Sequence, residues 1–203
     1  MTYADDSIDD FLSAVASESV TPAGGTTAAV VGATGAALCE MVCLHTLDAH
    51  GNGEPRDGTT EADLPSIRDD LRWYRGRLLA LADSDADAVA TLLAAQPTDC
   101  AGATPEAKRA TGVPLAIAEA CSAVLDHAAT VTEVGTPVAV PDAVTGAFLA
   151  RAAVRATAFT VRHNADRSAD PAFADGMVRR AAAVERDAER ACERVVATAE
   201  ARR

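Results

Sequence analysis

Four short stretches of this 203-residue chain carry residue types that could do chemistry. The first is Thr21-Pro22-Ala23-Gly24-Gly25-Thr26-Thr27, which runs into an Ala-rich segment. A helix N-terminus there would offer free N–H groups and the positive end of its dipole to an anion or a polar ring edge. Adjacent glycines would let a ligand reach the backbone, although the same letters also spell a plain helix–helix turn. The second is Pro141-Asp142-Ala143-Val144-Thr145-Gly146-Ala147, where Asp142 heads an apolar segment. Such a residue is either a helix cap or a proton-transferring carboxylate. The third is the pair Asp85 and Asp87, inside a long amphipathic stretch. A carboxylate turned inward there would have a raised pKa and could move protons; Asp87 is read as facing solvent. The fourth is Arg151, Arg155 and Arg162, which fall within roughly 40° of each other on a helical wheel. That stripe could hold ligand carboxylates, or it could pair with acidic residues of a neighbouring helix.

Other chemistries find little support. His45, His50, His127 and His163 show no metal-ligand spacing, and His45 is off the face shared by Cys39 and Cys43. We therefore expect no metal and no resident cofactor. There is no phosphate-binding glycine loop of the P-loop or Rossmann type and no nucleophile elbow. Acidic residues number 30 against 18 basic ones, for a formal net charge of -12, which argues against nucleic acid as a partner. Lys108 is the only lysine, and this acidic, Lys-poor composition suits folding in high salt, where screening removes self-repulsion. The five cysteines are scattered and read as reduced, buried thiols. Met1–Asp10 is acidic and lacks a basic leader region, and the apolar run Ala28–Cys39 is too short to cross a bilayer. A cytoplasmic protein with no membrane partner is the expectation.

The elements that must position these residues read as helices. Hydrophobic residues make up 49% of the chain but aromatic ones only 3%, so alanine supplies much of the apolar content and helix is favoured. Ser7 can cap a first helix, with Ile8, Phe11, Leu12 and Val15 as its apolar stripe and an end near Ser19. A second helix is expected over about Thr26–Thr46, where Gly32 and Gly35 suggest close approach to a neighbour or ligand. The Gly-rich segment His50–Asp63 reads as a mobile loop. A long third helix follows over Leu64–Gln96. A fourth opens at Thr104-Pro105, is expected to kink at Pro114, and stops near Gly135. A fifth runs from Pro141 to about Asn164, and a sixth from Pro171 to Ala201. No stretch alternates convincingly enough for a strand. The fold class is all-α: one domain over residues 1–203, a bundle of about six helices with one long central helix.

Taken in order, these segments resemble one family. The order is Phe11-Leu12, then Thr21–Ala29, then Gly32, Gly35, Ala36, Ala37, Met41 and Val42. Asp85-Ala86-Asp87-Ala88-Val89 follows, then Val113-Pro114-Leu115, Gly135 with Pro141–Ala147, and Phe159–Asn164. This order is similar to that of the formiminotransferase-cyclodeaminase C-terminal type, which includes stand-alone methenyltetrahydrofolate cyclohydrolases. The resemblance implies an all-α dimer that binds a folate substrate in a cleft between helices. It implies Asp142 as the leading catalytic residue, with Asp85 as a second. It also implies that the loop of Pro22, Gly24, Gly25, Thr26 and Thr27 seats the pterin or one-carbon end. Arg162 and Asn164 would complete the substrate site, with the arginine stripe meeting the glutamate tail. Two activities fit: water addition to the methenyl bridge, or ring closure of a formimino group with loss of ammonia. The alternative is a non-catalytic folate-binding or structural helical dimer.

Overall fold

The computed structural model describes residues 2–51, 63–95 and 104–203. They form six α-helices: α1 (Ile8–Val15), α2 (Gly24–Gly51), α3 (Leu64–Ala94), α4 (Pro105–Val134), α5 (Val140–Ala165) and α6 (Pro171–Ala201). Short 3-10 turns lie at Tyr3–Asp5 and Pro137–Ala139. No strand occurs among the described residues. The segment read above as a mobile loop lies almost entirely outside them.

Local sequence explains the helix starts. The Ser7 hydroxyl accepts from the Asp10 N–H at 3.1 Å and donates to the Asp10 carboxylate at 2.6 Å. Thr104 and Asp170 cap α4 and α6 by accepting from the Ala107 and Phe173 N–H groups, each just ahead of a proline at the first helical position. Helix α2 starts at Gly24, two residues earlier than expected, so both glycines belong to its first turn. Helix α4 stays helical through the buried Pro114.

Helices α2 and α3 run antiparallel, as do α2 and α5, since Gly25 meets Asp85 while Gly35 meets Gly146 and Ala150. Helix α4 touches α2, α3, α5 and α6 and closes the bundle. The core is built of small residues: Ala29, Ala36, Cys39, Cys121, Ala128, Ala143 and Ala150 are all fully buried. Gly32 and Gly35 do permit close approach. A Cβ on Gly35 would stand 2.6 Å from the Gly146 carbonyl oxygen, and one on Gly146 would stand 2.8 Å from that of Gly35. Helices α2 and α5 therefore touch backbone to backbone, and an added methyl at either glycine would force them apart. Cys39, Cys43, Cys121 and Cys192 are free and buried, and burial pushes the Cys39, Cys43 and Cys121 thiols up to about 12.

One expectation about apolar length is corrected here. Gly24–Ala49 and Pro137–Ala165 are both long and apolar enough to cross a membrane by length and composition alone. Only 56% and 44% of their most apolar windows are buried. Leu44 of α2 and Phe148 and Phe159 of α5 are among the large apolar residues left exposed. The stripe of α1 is also largely open: Phe11 is buried, whereas Ile8 and Leu12 are exposed.

Candidate active site

An acidic group from another helix meets each end of α2, and the two environments differ. At its N-terminus Asp85 reaches across from α3. Its carboxylate accepts from the Thr26 hydroxyl at 2.9 Å and from the Thr26 N–H, so it caps α2 from another helix. Asp85 is only 4% exposed, and burial raises its pKa, partly opposed by the two Thr26 bonds. A Cβ on Gly25 would lie 2.4 Å from Asp85 Oδ1, so glycine is what lets the carboxylate sit there. Two residues earlier, Asp83 accepts from the Thr2 hydroxyl and the Tyr3 N–H, fastening the N-terminal turn to α3. Asp87 is exposed, as its position on the wheel suggested.

Beside this cap is a concavity of about 400 Å³ lined by Pro22, Gly24, Thr27 and Val31 of one side and Ala152 and Ala156 of α5. Gly25 and Thr26 turn away from it toward Asp85. The diglycine segment thus splits into an outer half that lines a surface depression and an inner half that holds a buried carboxylate. The outer depression is almost wholly apolar.

At the C-terminal end of α2 a second cleft, of about 440 Å³, is lined by His45, Asp48, Thr136, Val138, Ala139 and Asp142. Asp142 sits in the first turn of α5, partly buried, and no side-chain bond caps that helix. It is therefore not the helix cap that its position allowed. The Thr136 Oγ1 is buried on the same wall and has no hydrogen-bond partner among the described residues. Its backbone N–H donates to Thr46 Oγ1 at 3.1 Å, which fixes the turn between α4 and α5. A buried, unpartnered hydroxyl beside a carboxylate and an imidazole is a ready place for a polar ligand atom or water. Sequence reading passed over both His45 and Thr136. His45 lacks a ligand-like spacing, and Thr136 stands in a linker; only the return of α5 alongside α2 joins them.

The two ends do not meet within one chain. Gly24 and His45 are 21 residues apart on one helix, which is roughly 31 Å along its axis. Asp142 and the diglycine turn consequently belong to separate concavities of the protomer. Two of the three stripe arginines are likewise engaged elsewhere, while Arg155 is exposed. Arg151 Nε donates to Glu189 at 2.7 Å, and Arg162 forms a two-pronged pair with Glu185, both on α6. Asn164 donates to the Ala110 carbonyl oxygen at 2.9 Å, tying α5 to α4. Among the described residues no group of three or more His, Cys, Asp or Glu side chains could hold a metal ion.

Residues 7–183 match the formiminotransferase-cyclodeaminase family. The chain belongs to that family. It is 34% identical over 180 residues to a methenyltetrahydrofolate cyclohydrolase of Methylorubrum extorquens, covering 84% of each chain. Its fold is that of a formiminotetrahydrofolate cyclodeaminase from Thermotoga maritima, with a TM-score of 0.88, 24% identity and 98% of each chain covered. The Thermotoga maritima protein and this chain thus share the helical bundle over nearly their whole lengths.

Proposed function

We propose that this chain is a methenyltetrahydrofolate cyclohydrolase or a formimidoyltetrahydrofolate cyclodeaminase, working by carboxylate acid/base catalysis without a resident cofactor. Family membership and the cyclohydrolase relative support the substrate class. The observation that carries the chemistry is the cleft where Asp142, His45 and the unpartnered Thr136 hydroxyl converge.

The methenyl bridge is a cationic amidinium, and Asp48 and Asp142 place negative charge around the cleft that would receive it. In the hydrolytic direction water adds to the bridge carbon and gives up a proton. The adduct then breaks one carbon–nitrogen bond as that nitrogen takes a proton. In the cyclising direction the neighbouring exocyclic nitrogen of the substrate attacks the formimino carbon, forming the second bridge carbon–nitrogen bond, and the imino nitrogen takes up protons and leaves as ammonia. Each path needs one proton taken and one returned near a single carbon. Asp142 is the group assigned to that transfer, with Thr136 orienting the water or the departing nitrogen and His45 as a second proton carrier. Asp85, buried against Thr26, acts as a positioning residue for the α2 N-terminus.

A second copy of the chain completes the reading. Partly uncovered residues of α2 and α5 adjoin at the concavity of Thr27, Val31, Ala152 and Ala156, and a second copy would cover this side. A two-fold axis near the middle of α2 would run the two α2 helices antiparallel. Each Asp142 cleft would then approach the partner subunit's Gly24, joining the two concavities that one chain keeps apart.

The test is a turnover assay in concentrated salt. Purified protein should accelerate the loss of near-ultraviolet absorbance of methenyltetrahydrofolate, or release ammonia from formiminotetrahydrofolate; whichever occurs identifies the activity. No acceleration of either leaves a non-catalytic folate-binding or structural dimer. The shared site is tested by mixing two inactive variants, Asp142→Asn and Gly24→Val. Co-refolded mixtures should regain part of the activity, because one site of each mixed dimer is intact. Gly24 has open space around it, so the larger side chain should leave the fold unchanged.

A further inference from the structure

Among the described residues two carboxylates are buried, and Glu40, unlike Asp85, caps no helix and takes no part in the proposed reaction. Glu40 is 6% exposed and stands within the apolar helix α2. It accepts from Arg72 Nε at 2.9 Å and from Arg75 Nε at 3.0 Å, one oxygen to each guanidinium. The two arginines lie one turn apart on α3, and Glu40 engages only the inner edge of each. Their side chains remain 58% and 41% exposed. The pair therefore carries one more positive charge than its anchor, in a chain with a net charge of -12. Arg68, one turn earlier, is paired with Asp69 and leaves that balance unaltered. A guanidinium held at Nε keeps its outer fork aligned, and two such forks side by side suit a carboxylate better than a lone, flexible cation does.

The position is suggestive in relation to the reacting end. Glu40 precedes His45 by five residues on α2 and faces the α3 side, while His45 and Asp142 face the α5 side. Helical geometry puts the two spots roughly 15 Å apart across the exposed surface of α2. Leu44, 44% exposed, lies between them and offers an apolar floor. A ligand with a polar ring system, an aromatic middle and a carboxylate end would lay these three parts on cleft, Leu44 and arginine pair in turn. Of the α5 arginines, Arg151 is paired with Glu189 and Arg162 with Glu185.

We propose that Arg72 and Arg75, pre-set by Glu40, bind the glutamyl carboxylates of the substrate and so select glutamylated over glutamate-free ligands. This rests on the folate reading above, and the test separates the two. Equilibrium binding of aminobenzoylglutamate and of aminobenzoate is measured on the intact protein, and turnover of methenyltetrahydrofolate is measured alongside a glutamate-free methenyltetrahydropteroate. The wild type should bind aminobenzoylglutamate at least tenfold more tightly than aminobenzoate. Arg72→Gln should abolish most of that difference, because Arg75 remains to satisfy Glu40 and the fold is kept. In turnover, Arg72→Gln should raise KM for the glutamylated substrate about tenfold with kcat retained, and leave both constants for the glutamate-free substrate unchanged. Arg72→Lys should recover only part of the preference, since a point charge lacks the fork. Equal losses for both ligands would mark Arg72 as structural and overturn the proposal. So would a wild type that does not discriminate. Discrimination without any turnover would refute the catalytic reading while leaving the carboxylate site standing.

Discussion

Asp85 and Asp142 serve opposite ends of one helix, and their surroundings give the same side chain different work. Asp85 is enclosed, bonded twice to Thr26 and pressed against Gly25, so moving it would undo a helix terminus. Asp142 is partly open, caps nothing, and shares a cleft with His45 and a hydroxyl lacking a partner. A satisfied buried carboxylate holds structure; an unsatisfied one at a rim is available to a substrate. Burial alone, and with it a raised pKa, points to Asp85, whereas the open cleft favours Asp142, the proposed proton carrier.

Substitutions should divide along that line. The largest effect is expected from Asp142→Asn, which should lower kcat by about 10²- to 10⁴-fold with an unchanged melting temperature. Turnover close to wild type would move the proton transfer elsewhere, with His45→Gln the next variant to assay. Gly25→Ala should instead destabilise by about 1–3 kcal/mol in chemical denaturation, since its methyl meets the Asp85 carboxylate. Gly146→Ala should do similarly by separating α5 from α2.

Asp85 gives a pH signature with a definite sign. Its folded-state pKa lies above its unfolded one, so the folded chain holds that proton more tightly. Its contribution to stability is present below the unfolded value and is lost as pH rises through the folded value. The difference in unfolding free energy between wild type and Asp85→Asn, measured across mildly acidic pH at fixed salt, should shrink on the wild-type side as pH rises. A difference independent of pH would mean that Asp85 is not shifted. The smallest effect is expected at Arg162→Ala, whose partly exposed pair with Glu185 should contribute under about 1 kcal/mol, with no change in KM.

Much of the architecture was legible because helix signals are local. Thr104-Pro105 and Asp170-Pro171 announce two helix starts, and the apolar period of α6 places Met177, Ala181, Ala188, Cys192 and Val195 on the buried side. Gly32 and Gly35 signalled close approach, though which neighbour approached was not readable. Asp85 was distinguishable from Asp87 by the wheel alone. The arginine stripe illustrates where local reading stopped: three residues on one face looked available to a ligand until α6 supplied Glu189 to Arg151 and Glu185 to Arg162. Glu40 offered a signal, an acid amid the apolar stretch of α2, but its two partners lie more than thirty residues further along the chain.

The sequence by itself determined the helices, their caps, their apolar faces and the family to which the chain belongs, because each rests on neighbours within a few turns. Only the tertiary structure decided which polar groups are already paired and which remain open to a ligand. That decision depends on where distant helices return in space: α3 brings Asp85 to Thr26, α6 takes up Arg151 and Arg162, and α5 brings Asp142 beside His45. No periodicity within a single helix encodes those meetings.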